Sequence, residues 1–123
     1  MPATKRLDAM KLNSKQKGKT GELEWVKVCK ANGFDSVRRT AQYCGNTGDA
    51  SDCVGLRGIH QEVKRVEKLN IHDAMAQAVR DSKVKGSIPI VAHRKNHTEW
   101  LVTMRAEDWF TLYREWEAGL FDD

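Results

Sequence analysis

Residues 51–65 read SDCVGLRGIHQEVKR and predict two β-strands joined by a tight turn. Alternate residues of a strand project from the same face, so Glu62 and Lys64 are expected side by side. If residues 56–58 form a three-residue loop with their glycine in the left-handed conformation, Asp52 lies directly across from Glu62. A two-residue turn would shift this register by one and separate the two carboxylates.

Two carboxylates and an ammonium group on one sheet face suit the hydrolysis of a phosphodiester. Carboxylate pairs offer Mg²⁺ the hard oxygen ligands that it prefers and leave positions open for water. The metal acidifies a bound water and neutralises developing charge, while a lysine can orient that water or hold a phosphate oxygen. On its own, the D-x(9)-E-x-K spacing is also compatible with a carboxylate pair balanced by a lysine on a solvated face.

The elements predicted around this hairpin indicate an α/β fold with a mixed central β-sheet flanked by helices. The coarse order of elements is α-β-β-β-α-β-β-α. Helices are predicted at about 20–32, 71–83 and 106–118, and further strands at about 34–42, 88–93 and 100–104. The last helix has an apolar stripe of a kind that most often marks a core face, formed by Trp109, Leu112, Tyr113 and Trp116.

Length and composition indicate one ordinary globular domain. A chain of 123 residues with 40% hydrophobic and 31% charged residues can bury a core without disulfide staples. No apolar run approaches the roughly 20 residues of a membrane-spanning helix, and the N-terminus lacks a secretory signal. We therefore expect an intracellular protein without a membrane partner.

The positive charge is concentrated at the N-terminus. The chain carries a net charge of +4, yet residues 1–19 hold six basic residues against Asp8 alone, so the remainder is close to neutral. We expect residues 1–18 to form a basic, flexible and extended arm ahead of a single domain at 19–123. Such an arm suits the phosphates of a nucleic acid, although a solvated tail that aids solubility fits equally well.

The three cysteines form no recognisable metal or disulfide motif. Cys29, Cys44 and Cys53 are an odd set without a C-x-x-C pair. A zinc site could be built from Cys44, Cys53 and His60, but reduced thiols with Cys29 buried on a helix face are the simpler expectation.

The residues around the hairpin resemble the archaeal and phage Holliday-junction resolvases, which belong to the PD-(D/E)xK nuclease superfamily. That family combines a K-G-x-x-x-E helix start, a G-F…R segment, a polar loop, an aspartate heading a strand, and E-x-K on the next strand. This chain has KGKTGE at 17–22, GF at 33–34 and Arg38 in the same order, and the resemblance spans roughly residues 17–103. It implies a restriction-endonuclease-like αβββαβ core with an added C-terminal helix.

The resemblance assigns roles to the residues of the site. It makes Asp52 and Glu62 direct ligands of Mg²⁺, for which Mn²⁺ could substitute, and Lys64 the residue that positions the nucleophile or phosphate. Glu22 would support the metal site, although Glu24 is a close rival and helix-dipole stabilisation is a simpler role for either.

The helix after the E-x-K strand holds a further candidate catalytic residue. Gln77 matches a glutamine found there in PD-(D/E)xK nucleases, and a partly exposed helix residue is the simpler reading.

The resemblance also implies a homodimer that binds branched DNA and makes paired nicks in a four-way junction, in the cytoplasm of a bacterial or phage-infected cell. Whether the last helix or a sheet edge joins the two copies is left open. Ser51 replaces the nominal proline, and residues 42–45 replace a serine-containing turn, which weakens the junction assignment more than the nuclease assignment. A VRR-type nuclease acting on flaps, ends or duplex is one alternative, and a non-catalytic DNA-binding module is another. The expected DNA-binding residues are Lys15, Lys17, Lys19, Arg38, Arg39 and Thr40.

Overall fold

The computed structural model describes the backbone of residues 3–40 and 51–121 and the side chains of residues 17–40 and 51–120. Within these ranges it has the mixed α/β architecture and the element order that the sequence predicts, which is compatible with a nuclease-like core. The elements are α1 (Ala3–Ala31), β1 (Arg38–Arg39), β2 (Cys53–Val54), β3 (Ile59–Arg65), α2 (Ile71–Ser82), β4 (Ile88–Arg94), β5 (Leu101–Met104) and α3 (Ala106–Phe121).

The five strands form one mixed sheet in the order β1-β2-β3-β4-β5. Only β3 and β4 run parallel, and α2 provides the crossover that a parallel pair requires. In the β2–β3 hairpin Cys53 pairs with Gln61, which is the register predicted from a three-residue loop. Gly58 takes the left-handed conformation expected of it, with φ of 79°. The hairpin register that places Asp52 across from Glu62 is therefore confirmed.

Helices cover the two faces of the sheet. On one face, α1 packs its Trp25, Val26 and Cys29 against β3 and β4, and Val63 and Ala92 belong to this cluster. On the other face, α2 packs two buried alanines against Val91 of β4. Glu62 pairs with Val91 in the parallel register, so its side chain lies on the α2 face of the sheet. β3, which holds Glu62 and Lys64, is thus the central strand of a sheet that is covered by α1 on one face and α2 on the other.

The N-terminal segment differs from the expectation. For residues 3–18 the expected extended arm is wrong for the backbone, and so is a helix that begins near Thr20, since α1 begins at Ala3 and passes through Thr20 without a break. Residues 1–2 lie outside the described residues. Residues 3–17 contain no proline or glycine, and nine of the fifteen are alanine, leucine, lysine or arginine, which all favour helix. Although it is 29 residues long, α1 is strongly charged; no helix in residues 3–40 or 51–121 is long and apolar enough to cross a membrane.

Two further expectations need correction. Within the described residues the first strand is shorter than the predicted 34–42, because Asp35 and Ser36 form a turn and β1 covers Arg38–Arg39. Residues 41–42 lie outside the described residues. The aromatic stripe of α3 was expected to face the core, but it is exposed along the helix. By contrast, α2 begins as predicted, with the Asn70 side chain accepting a hydrogen bond from the Asp73 amide at 3.1 Å.

Candidate active site

The centre of the site is the pair formed by Asp52 and Glu62. Asp52 stands at the entry to β2, and its Oδ2 accepts a hydrogen bond from the backbone amide of Val63 at 2.8 Å. Its carboxyl group also lies within hydrogen-bonding reach of Glu62. Burial, followed by the negative charges of Glu62 and Glu22, raises the pKa of Asp52 to about 7, although the Val63 hydrogen bond opposes the shift. Three carboxylates therefore share one region of space.

Glu62 is held in place from its other side by a buried hydrogen-bond chain. His60 is two residues earlier on β3 and lies on the same face, with its Nε2 2.9 Å from Glu62 Oε1. The Oγ of Ser51 lies 2.8 Å from His60 Nδ1. With the His60 proton on Nε2, the ring donates to the Glu62 carboxyl group and accepts at Nδ1 from the Ser51 hydroxyl. Glu62 is only 1% exposed, so this chain fixes the orientation of a buried carboxyl group.

The third carboxylate comes from α1. Glu22 Oε2 accepts a short hydrogen bond from Arg39 Nε at 2.6 Å, in a part-buried ion pair that ties α1 to β1. The charge of Glu22 acts on Asp52 despite this partner. Glu22 is therefore close enough to Asp52 to act on it electrostatically, and its supporting role at a metal stays a prediction.

Glu24 is engaged elsewhere. It forms ion pairs with two arginines at the ends of the central strands, Arg65 of β3 and Arg94 of β4. Between the two rival glutamates, the geometry favours Glu22 as the partner of the Asp52 site. Glu24 serves to attach α1 to the sheet.

A close approach of α1 to β3 fixes the position of Glu22. Gly21 is buried, and a Cβ atom built on it would lie 2.5 Å from the Cβ of Arg65. Only glycine fits there, because the Cβ of Arg65 is attached to the backbone and has little freedom to move aside. By contrast, a Cβ on Gly18 would meet nothing within 4 Å. The second glycine of the KGKTGE segment is thus the one that the packing requires.

The carboxylates open onto a groove of about 810 Å³ between α1 and the end of β3. Asp52 and Glu22 line it, together with Lys17 and Lys64, whereas Glu62 is buried and is not among its described lining residues. Lys64 is half-buried, and no ion pair joins it to a carboxylate of the described residues. Its ammonium group therefore remains available to an anion that enters the groove. The set of carboxylate oxygens matches the hard ligands that Mg²⁺ binds.

A second group of potential metal ligands shares Glu62. The ligand atoms of His60, Glu62 and Asp81 all lie within 4.8 Å of one another, beside a cavity of about 160 Å³. Both ring nitrogens of His60 are already hydrogen-bonded, to Ser51 and to Glu62. This cavity is also much smaller than the groove on the Asp52 side. The Asp52 side is therefore the better place for a metal that must meet a large substrate.

Gln77 is not part of this arrangement. It lies half-buried on α2 and is absent from the described side chains that line the groove. Its catalytic role stays a prediction.

The residues expected to bind DNA fall into different environments. Lys17 lines the groove and Lys19 is exposed nearby on α1, whereas the side chain of Lys15 lies outside the described residues. Arg38 is exposed on β1 and donates to the Ser36 carbonyl at 3.2 Å.

Two more of them, Arg39 and Thr40, are engaged or hidden. The guanidinium of Arg39 is engaged by Glu22. Thr40 Oγ1 is buried and has no hydrogen-bond partner among the described residues. Lys17 and Lys19 are therefore the best placed of the set, and DNA binding itself stays a prediction.

The cysteines do not form the zinc site considered from the sequence. Cys53 pairs with Gln61, which faces α1, whereas His60 is on the opposite face of the sheet, and Cys44 lies outside the described residues. Cys29 and Cys53 are buried free thiols, and burial raises the pKa of Cys53 to about 12. Reduced, unreactive thiols are the expectation that holds for this pair.

Sequence reasoning missed His60 as the residue that holds Glu62. Its position two residues before Glu62 was a usable signal, since alternate residues on a strand share a face. Comparison with known proteins adds no family assignment, because no family model and no curated protein matches this chain.

Proposed function

We propose that this protein is a Mg²⁺-dependent DNA endonuclease that acts inside the cell on branched DNA and resolves four-way junctions by paired cuts. The observation that carries the proposal is the meeting of Asp52 and Glu62, with Glu22 beside them, at a groove lined by Lys64. An acidic centre next to an available ammonium group is the combination that phosphodiester hydrolysis needs.

The donor set fits a divalent cation. Asp52 and Glu62 would hold it, with Glu22 in support. The pKa of Asp52 is raised first by burial and then by the negative charges of Glu62 and Glu22, which a cation would offset. When bound, Mg²⁺ supplies an acidified water and a positive charge next to the phosphate. His60 keeps the Glu62 carboxylate oriented, which is the usual role of a hydrogen-bond partner behind a metal ligand. Lys64 holds a phosphate oxygen in the groove.

The polar core also favours an enzyme over a non-catalytic DNA-binding module. Burying Glu62 next to Asp52 costs stability, because ionised groups are poorly solvated in a protein interior. A module that only contacts the DNA backbone has no need for such a cluster. The presence of these buried carboxylates beside His60 is explained if the carboxylates take part in catalysis.

Branched DNA is proposed from the resemblance of residues 17–103 to the junction resolvases. The alternative substrates, flaps, ends and plain duplex, use the same catalytic centre. A groove that is open to solvent and bordered by Lys17 suits recognition of the phosphate backbone rather than of base sequence. Affinity should accordingly fall steeply with salt concentration.

The test is cleavage of an immobile, end-labelled four-way junction with Mg²⁺, beside matched flap, duplex and single strand. We expect paired nicks on opposite arms of the junction, which EDTA abolishes. Equal cutting of flaps or duplex would remove the junction assignment and keep the nuclease. Binding without metal-dependent cleavage of any substrate would replace the proposal by a binding module.

A further inference from the structure

The groove extends from the carboxylates to the turn that joins β4 to β5, residues 95–98, where Asn96 lines it. Asp52 lies across from Glu62, and Arg65 is three residues further along β3. The groove therefore runs on the order of 10 Å from the carboxylates to the turn. That distance is the rise of about three nucleotides of duplex, at roughly 3.4 Å each. A DNA strand that is cut at the carboxylates would reach the turn.

The β4–β5 turn is held by hydrogen bonds on several sides. Thr98 donates to the Lys95 carbonyl from its backbone amide at 3.3 Å and from its hydroxyl at 2.9 Å. The backbone amide of Asn96 donates to the Glu67 carboxylate at 2.9 Å, and Asn96 Oδ1 accepts from Arg65 at 2.9 Å. The turn is therefore fixed against the end of β3, so little conformational entropy is lost when it contacts a ligand.

The backbone of His97 is strained. Its φ is 63°, in the left-handed region, and among residues 3–40 and 51–121 it is the one residue other than glycine with a positive φ. Glycine adopts this conformation without strain, because it has no Cβ atom to crowd the backbone. An exposed imidazole thus stands at a position where the backbone favours glycine. Strain of this kind is found where a side chain contacts a ligand.

The end of the groove near the turn is positively charged. Of the acidic residues that line it there, Glu24 is paired with two arginines and Glu67 accepts from the Asn96 amide. Lys95 is exposed, and no ion pair joins it to a carboxylate of the described residues. Lys17 lines the groove from α1. Lysines on the turn and on α1 therefore flank this end of the groove, which favours an anion.

We propose that the β4–β5 turn is a further contact with the DNA backbone, in which the Lys95 ammonium and the His97 imidazole bind phosphate oxygens. This inference rests on the proposed DNA substrate and adds the course of the strand, which runs from the carboxylates past Lys64 to the turn. Ammonium and imidazole N–H groups donate to phosphate and do not read base sequence. The turn holds the backbone about three nucleotides from the phosphate that is cut.

The experiment is fluorescence anisotropy of the full chain with a labelled four-way junction in Ca²⁺, from about 50 to 200 mM salt. Lys95→Ala should bind about 3–10-fold more weakly at about 0.1 M salt. Its plot of log affinity against log salt concentration should be shallower by about 0.9, which is the loss of one phosphate contact. Lys83→Ala is the matched control, because Lys83 is also an exposed lysine, next to the other end of β4, and should bind as the wild type does.

His97→Gly separates a ligand contact from a structural role. Its melting temperature should stay close to that of the wild type, since relief of strain offsets the greater freedom of the unfolded chain. Its affinity for the junction should nevertheless fall about 2–10-fold, because a hydrogen bond to phosphate is lost. His97→Asn should keep the wild-type affinity, since asparagine tolerates the left-handed backbone and its amide can donate to phosphate.

Two failures can be told apart by these measurements. Unchanged affinity in both Lys95→Ala and His97→Gly, or an equal loss in Lys83→Ala, would overturn the assignment of the turn and leave DNA as the substrate. A wild type that binds neither junction, flap, duplex nor single strand would overturn the proposed function and this inference together.

Discussion

The β2–β3 hairpin and the β5–α3 segment depart in opposite directions from the usual distribution of polar and apolar residues. The hairpin buries Ser51, His60, Gln61 and Glu62, whereas β5 and α3 expose large aromatic and aliphatic side chains. Buried charge and exposed apolar area both cost stability. For the first region we propose a cation and DNA as the partners.

If the hairpin is a catalytic centre, Lys64→Ala should have one of the largest effects on cleavage. Loss of a positive charge aimed at a phosphate in a partly water-excluded site lowers the cleavage rate by about 10²–10³-fold. The measurement is the single-turnover rate on a junction with Mg²⁺. Lys68→Ala is the control, because Lys68 is exposed and does not line the groove. Equal rates for the two variants would show that the ammonium of Lys64 plays no special part.

Removing the hydrogen bond that His60 makes to Glu62 should weaken metal binding. His60→Asn loses the Nε2 contact to the carboxylate and should reduce Mn²⁺ affinity by about 10–100-fold, as loss of a ligand's hydrogen-bond partner typically does. Titration calorimetry with Mn²⁺ measures this without any DNA. His72→Asn, on the exposed side of α2, should bind Mn²⁺ as the wild type does. Unaltered affinity in His60→Asn would limit His60 to a packing role.

The approach of α1 to β3 can be tested with two glycines of one segment. Gly21→Ala places a Cβ against Arg65 and should destabilise the fold by about 1–3 kcal/mol, as overpacking does. Gly18→Ala meets open space and should be neutral or slightly stabilising, because alanine favours helix. Thermal unfolding compares them. Similar melting temperatures for both variants would mean that α1 does not contact β3 at Gly21.

The smallest expected effect is a pH dependence of stability that originates at Asp52. Its folded-state pKa of about 7 lies above the ordinary value of 3.8, so the folded protein holds this proton more tightly than the unfolded chain. This contribution to stability is present below pH 4 and is lost as the pH rises to 7. Asp52→Asn cannot ionise, so it should melt higher than the wild type by about 3–6 °C at pH 8. At pH 5 the gap should be smaller, and a gap independent of pH would contradict the assignment.

Local chemistry made much of the fold predictable. The Leu56–Gly58 turn fixed the register of the hairpin, the alternation along β3 placed Glu62 beside Lys64, and Asn70 marked the start of α2. These features depend on residues close together in the chain. The sequence therefore sufficed to pair Asp52 with Glu62.

Features that depend on distant residues were not predictable in the same way. The need for Gly21 arises from Arg65, which is 44 positions away. The periodicity of α3 shows which residues share a face but not what covers that face. The same holds for Arg39, whose partner Glu22 is on another element. Contacts between residues that are far apart in the chain could therefore not be predicted from the sequence.

The most direct test of the central claim compares wild type with Asp52→Asn on an immobile four-way junction. Asp52→Asn keeps the size of the side chain and an oxygen that can accept from the Val63 amide, but removes the negative charge. We predict that junction affinity in Ca²⁺ stays within about threefold while Mg²⁺-dependent cleavage falls by at least about 10³-fold. Cleavage by Asp52→Asn within a few-fold of the wild type would contradict the assignment of this carboxylate cluster as the catalytic centre.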